Sequence, residues 1–165
     1  MLYLLDADTI ITADRDQYPL KRFSLFWDWL LYQAENNAVK IPLEQLEEVI
    51  TGKGDIVEWL SDDEVKKYLV LDEEPQTTMV SHVVRNAYGD LNDVELELVG
   101  RDPFLIGYAF ADIGRRTVVT FEKSAPGQKR GKRKIPDACN IVGVPSLNLF
   151  KLINALDFTT DWRRP

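Results

Sequence analysis

A chain of 165 residues with 45% hydrophobic side chains has room for one core and excludes general disorder. Its one cysteine, Cys139, excludes an internal disulfide and a cysteine zinc knuckle, and no apolar run is long enough to span a bilayer. The net charge of -7 hides a polarity, because residues 123–134 hold six basic residues and none of the 27 acidic ones. The opening Met1-Leu2-Tyr3-Leu4-Leu5-Asp6 lacks the basic start of a signal peptide. A cytoplasmic protein with a single domain over residues 1–165 is the expectation.

Leu2 to Leu5 is short, apolar and followed by Asp6-Ala7-Asp8-Thr9, which reads as a buried first strand ending at a polar turn. A polar loop through Tyr18-Pro19 should follow. Phe23, Phe26, Trp27, Leu30 and Leu31 then recur at helical spacing as far as Asn36-Asn37, a core stripe more than a binding surface. Val39-Lys40-Ile41 is a short strand, and Pro42 opens a helix with Leu43, Leu46, Val49 and Ile50 that Gly52-Lys53-Gly54 stops. Residues 55–69 and 75–88 read as further helix, and Gly89 to Gly100 as a polar loop holding a turn or short helix. Asp102-Pro103 predicts an N-cap with proline at the first helical position. Arg116 to Thr120 is β-branched and should be a central strand; Val142 to Ser146 predicts a last short strand and Leu147 to Leu156 a closing helix. Alternating strands and helices predict an α/β fold with helices on both faces of a parallel sheet.

Acids stand where these elements begin or end. Asp6 closes the first strand, Glu48 lies in the helix after Pro42, Asp102 opens a helix, and Glu122 follows Thr117-Val118-Val119-Thr120. Carboxylates at the carboxyl ends of strands can meet where open α/β sheets place ligands, and such a cluster suits hard divalent cations and phosphate chemistry. Asp6 is hard to explain structurally, since an unpaired buried carboxylate is costly. Asp102 could be a helix cap and nothing more, and Glu122 could merely balance the basic segment. On the Pro42 helix Glu44 and Glu48 share a face, and Glu47 points elsewhere. The lone histidine, His82, and Cys139 read as structural.

The order of elements resembles the PIN domain, a metal-dependent nuclease fold. The residues that carry it are Tyr3-Leu4-Leu5-Asp6-Ala7-Asp8-Thr9-Ile10, Glu48-Val49, Asp102-Pro103-Phe104-Leu105-Ile106 and Val118-Val119-Thr120-Phe121-Glu122. In Tyr18-Pro19, Phe26-Trp27-Asp28-Trp29-Leu30, Pro42 to Glu48, Glu58-Trp59, Asp102-Pro103 and Lys134-Ile135-Pro136-Asp137-Ala138-Cys139 the chain resembles, more narrowly, an uncharacterised PIN-like family of DUF4411 type, related to VapC-type toxin ribonucleases. The resemblance implies a three-layer α/β/α sandwich with four to five parallel strands. It implies Asp6, Glu48 and Asp102 as catalytic, metal-binding carboxylates with Glu122 fourth, and Mg²⁺ or Mn²⁺ as the ion. Relatives often carry Thr-x-Asp where this chain has Thr120-Phe121-Glu122, and asparagine where it has Asp8. Asp8, Glu44, Thr120 and Asp137 are therefore additional candidates, Asp137 as a rival for the fourth place.

Phosphodiester hydrolysis of RNA by water is the implied activity, with Lys123, Lys129, Arg130, Lys132, Arg133 and Lys134 holding the backbone. An antitoxin partner is implied by the same resemblance, and a homodimer is a further candidate. One alternative is a non-catalytic PIN-like module that binds RNA or protein. Another is a haloacid-dehalogenase-type phosphatase, which Asp6-Ala7-Asp8-Thr9 also resembles. Ile10 departs from that pattern, and the later acids in Gly89-Asp90-Leu91-Asn92-Asp93 follow a helical stretch and not a strand.

Overall fold

Leu4 and Leu5 are neighbours in the chain, both are fully buried, and they enter different cores. Successive strand side chains point to opposite faces, so two adjacent apolar residues mark a strand covered on both sides. The computed structural model describes residues 1–163 and shows why. Strand β1 (Leu2–Leu5) lies inside a four-stranded, all-parallel sheet with β2 (Val39–Lys40), β3 (Arg116–Val119) and β4 (Ser146–Leu147), in the order β2-β1-β3-β4. Tyr3 stands beside Val39, Leu5 beside Val119, and Val118 beside Ser146.

Helices α1 (Ala7–Thr12), α2 (Ser24–Glu35), α3 (Leu43–Ile50), α4 (Asp55–Ser61) and α5 (Asp63–Leu69) pack on the face that receives Leu5 and Val119. Phe26, Trp27 and Trp29 of α2 are buried there, as their spacing predicts. Helices α6 (Thr77–Val83), α7 (Asp93–Val99), α8 (Asp102–Phe110) and α9 (Ile135–Val142) supply the core around Leu4 and Val118. Helix α10 (Leu149–Ala155) returns to the first face through Leu149 and Leu152. The result is the expected α/β architecture, three layers deep. Among the described residues no helix is long and apolar enough to cross a membrane.

Several local expectations are corrected. Residues 7–17 are helical and not a loop: α1 continues through a widened turn that the Tyr18 N–H closes on the Ala13 carbonyl. The buried face of this segment is Ala7, Thr9, Ile10 and Ala13, on which Ile10 is the one large apolar side chain. Pro42 precedes α3 instead of standing in its first turn. Residues 55–69 form two helices, because Asp62 caps a new one with its side chain on the Glu64 N–H. Asp102 is not the N-cap of α8; Arg101 is, and Asp102 and Pro103 occupy the first turn. Val142 ends α9 at Gly143, whose φ is +76, so the last strand begins only at Ser146.

The strand order matters for function. From β1 the chain moves one way to β2, then β3 is laid on the other side of β1, so β1 and β3 are neighbours whose onward connections diverge. A crevice opens at the carboxyl ends of such a pair.

Candidate active site

Asp6 and Thr120 stand at the two lips of that crevice, just after β1 and β3. The Asp6 N–H is tied to the Val119 carbonyl, and the Thr120 hydroxyl donates to Asp6 Oδ2 at 2.8 Å. Thr120 also accepts the Glu122 N–H at 3.1 Å, so its rotamer is fixed by a neighbour on the same turn. Asp6 precedes α1 with an extended backbone yet makes no capping bond to it. Only 4% of the residue is exposed. Burial pushes its carboxyl up to about 7 against the Thr120 hydrogen bond, with Asp8, Glu122 and Glu48 adding repulsion.

A cleft of about 490 Å³ opens in front of it, lined by Asp6, Asp8, Glu48, Glu97, Asp102 and Glu122. Asp102 comes from the first turn of α8, and no hydrogen bond engages its carboxylate among the described residues. Burial, then Asp6, Glu122 and Glu48, push it up to about 8, and Lys134 opposes them. Glu48 reaches the cleft from α3 and is exposed. Asp8 accepts the Thr12 hydroxyl one turn along α1 at 3.1 Å, and it caps nothing.

Other candidates are placed elsewhere or are already engaged. Glu44 lines a separate hollow with Asp72, Glu73, Glu74 and Tyr108, and Tyr108 donates to it at 3.3 Å. Asp137 takes the Ser124 hydroxyl at 2.5 Å and the Ala125 N–H at 2.7 Å, which folds the loop after β3 and keeps the carboxylate out of the cleft lining. Glu122 lines the cleft, but both its oxygens are occupied: Lys134 Nζ lies 2.6 Å from one and the Ile135 N–H 2.7 Å from the other. It holds the start of α9 in place.

The basic segment divides in the same way. Arg130 grips Glu95 of α7 with two bonds of 2.6 Å and holds that carboxyl down at about 2. Gly131 is pressed against the Glu95 backbone, where a Cβ would come within 3.0 Å of its Cα. Lys134 is paired with Glu122, and Arg133 is half-buried with its Nε lacking a partner. Lys123, Lys129 and Lys132 are exposed and form no ion pair among the described residues.

Two participants escape a reading of the sequence. Glu97 reaches the cleft from α7, a helix announced by the capping box in which Asn92 and Glu95 exchange bonds of 2.9 and 3.0 Å. Gln45 is wholly buried on α3 and accepts the Ala7 N–H at 3.0 Å. Behind the cleft, burial pushes the Tyr88 phenol and the Cys139 thiol up, and the charge of Asp102 adds to the shift of each. Neither is a nucleophile at neutral pH. His82 stacks on Phe110 at 4.5 Å, away from the acids.

The cleft offers carboxylate oxygen and neither sulfur nor imidazole, the donor chemistry of hard cations. Among the described residues no three His, Cys, Asp or Glu side chains are close enough to hold an ion directly. The acids share one cleft without converging on a common point. No curated protein sequence matches the chain. A family model described as "Domain of unknown function (DUF4411)" matches residues 3–160, nearly the whole length, and the chain belongs to that family.

Proposed function

We propose that the chain is a PIN-like, Mg²⁺- or Mn²⁺-dependent endoribonuclease, the toxin of a toxin–antitoxin pair in which a partner protein covers the cleft. The observation that carries this reading is Asp6. It is buried, has no structural duty beyond its bond from Thr120, and opens into the same cleft as Glu48 and Asp102. Perturbed acids with a common outlook mark sites more often than scaffolds.

Asp6, Glu48 and Asp102 would hold the ion through its retained waters, since they do not converge closely enough to bind it directly, and Mg²⁺ keeps several of its waters. A bound divalent ion would lower the pKa of a water nucleophile and neutralise charge on the reacting phosphate. Thr120 keeps one Asp6 oxygen turned away, leaving the other for the cleft. Lys134, anchored by Glu122, places an ammonium near Asp102 and Asp8. Lys123, Lys129 and Lys132 are the cations available to the RNA backbone. Changing these three to glutamine should weaken RNA binding and flatten its salt dependence by about 0.7 per lost phosphate contact. A titration against salt with the native slope would leave the loop without a role.

The engagement of both Glu122 oxygens favours a second reading, a module that binds RNA without cutting it. Asp90 and Asp93, the pair a dehalogenase-type phosphatase would need, follow a helix and do not line the cleft. One assay separates the three. Single-stranded RNA, DNA and p-nitrophenyl phosphate are incubated with the protein in Mn²⁺ or EDTA. RNA cleavage that EDTA stops supports the nuclease; RNA bound but intact supports the module; turnover of p-nitrophenyl phosphate alone supports the phosphatase.

A further inference from the structure

Helix α3 contributes more to the cleft than Glu48. Gln45, three residues earlier, has no exposed surface although it carries an amide. Its Oε1 accepts the Ala7 N–H at 3.0 Å, and its Nε2 donates to the Arg101 carbonyl at 3.1 Å. Ala7 follows Asp6 and Arg101 precedes Asp102. One side chain therefore bridges the backbones beside two acids that lie far apart in the chain. The Arg101 guanidinium reinforces the grip, donating from Nη1 to the Glu44 carbonyl and to Glu47 Oε2, each at 2.6 Å.

The bond to Ala7 has a second effect. The first N–H groups of a helix have no partner within it, and the residue before the helix normally supplies one from its side chain. Asp6 occupies that place in front of α1 and makes no such bond. Gln45 satisfies the Ala7 donor and the Asp6 carbonyl takes the Thr9 N–H, while the Asp6 carboxylate lines the cleft.

We propose that Gln45 is a positioning residue that fixes Asp6 and Asp102 relative to Glu48, and through that spacing sets the affinity of the cleft for a divalent cation. The proposal rests on the metal-dependent reading above. Partners that orient ligands without touching the ion typically change affinity 10- to 100-fold when removed.

The test is Mn²⁺ titration by calorimetry on the native protein, Gln45→Met and Gln45→Asn. Methionine keeps the length and loses both bonds; asparagine keeps the amide and cannot span both partners, and it serves if the methionine variant fails to fold. Leu152→Ala, in the core beneath α10, is the comparison for lost stability alone. Both Gln45 variants should bind Mn²⁺ at least about 10-fold more weakly. Leu152→Ala should melt lower and bind like the native chain. Native affinity in the Gln45 variants, or an equal loss in Leu152→Ala, overturns the positioning role and leaves the metal site standing. Absence of Mn²⁺ binding by the native protein overturns the metal-dependent reading and this proposal with it.

Discussion

Asp6→Asn should raise the melting temperature of the metal-free protein at pH 8 while abolishing Mn²⁺-dependent cleavage of RNA. The two effects share one cause. At pH 8 the Asp6 carboxyl, pushed up to about 7, is mostly ionised in a buried place and faces Asp8, Glu122 and Glu48. Asparagine is nearly isosteric, and its carbonyl oxygen can still accept the Thr120 hydroxyl. The fold loses a charge it held at a cost, and the gain should be a few kcal/mol, roughly 2–4 °C for each in a chain of this size. Cleavage should fall by about a thousandfold, the equivalent of several kcal/mol of lost charge stabilisation. Differential scanning fluorimetry and a gel assay on one preparation read both quantities. A lower melting point would refute the electrostatic account, and full cleavage would remove Asp6 from the chemistry.

Stability of the metal-free protein should decline between about pH 4 and pH 8. A carboxyl whose proton is held more tightly in the folded chain than in the unfolded one favours folding fully below the unfolded value. That advantage drains away as pH rises to the folded value. Asp6 moves from 3.8 to about 7 and Asp102 from 3.8 to about 8, so the window spans both intervals. For Asp6 alone the ceiling is on the order of 4 kcal/mol, and the two shifts are not additive because each acid raises the other. Mn²⁺ should restore stability at pH 8 and do little at pH 5, where protons already occupy the acids. An ion at 100 times its dissociation constant contributes about 2.7 kcal/mol. Melting curves at both pH values, with Mn²⁺ or EDTA, decide it; an ion effect of equal size at pH 5 and pH 8 would contradict the mutual repulsion of the acids. The Asp6→Asn protein should show a shallower pH slope.

Much of the architecture is legible in the sequence because parallel strands announce themselves. Leu4-Leu5 and Val118-Val119 are adjacent apolar pairs, and only a strand buried on both faces needs them. Helix α1 is obscured because Ile10 is the one large side chain on its buried face, the rest being alanine and threonine, whose burial is visible only once α3 packs on them. Helix α7 fits the turn or short helix expected within residues 89–100, but its bounds are obscured because Val94, Leu96 and Leu98 alternate and give no helical stripe. Its capping box was the available signal. Within the site, the position of an acid at the end of an element predicted which carboxylates would line the cleft better than it predicted their partners. Glu122 and Asp137 are both acids beside a basic loop, and only coordinates show that one is bound to Lys134 in the cleft wall and the other to Ser124 outside it. Gln45 carries no charge, and although it lies in the Pro42 to Glu48 segment that carries the family resemblance, nothing there singles it out. Its importance lies in two backbone groups far from it in the chain.

The placement of β3 beside β1 has a consequence for a chain still being synthesised. Asp6 and Glu48 are made well before Thr120 and Glu122. Until β3 pairs with β1, Asp6 lacks the Val119 carbonyl and the Thr120 hydroxyl that hold it, and the crevice has one wall. Closing contacts over so long a stretch of chain is a late and slow event in folding. A partly translated copy therefore lacks the assembled cleft, which comes only with the finished sheet.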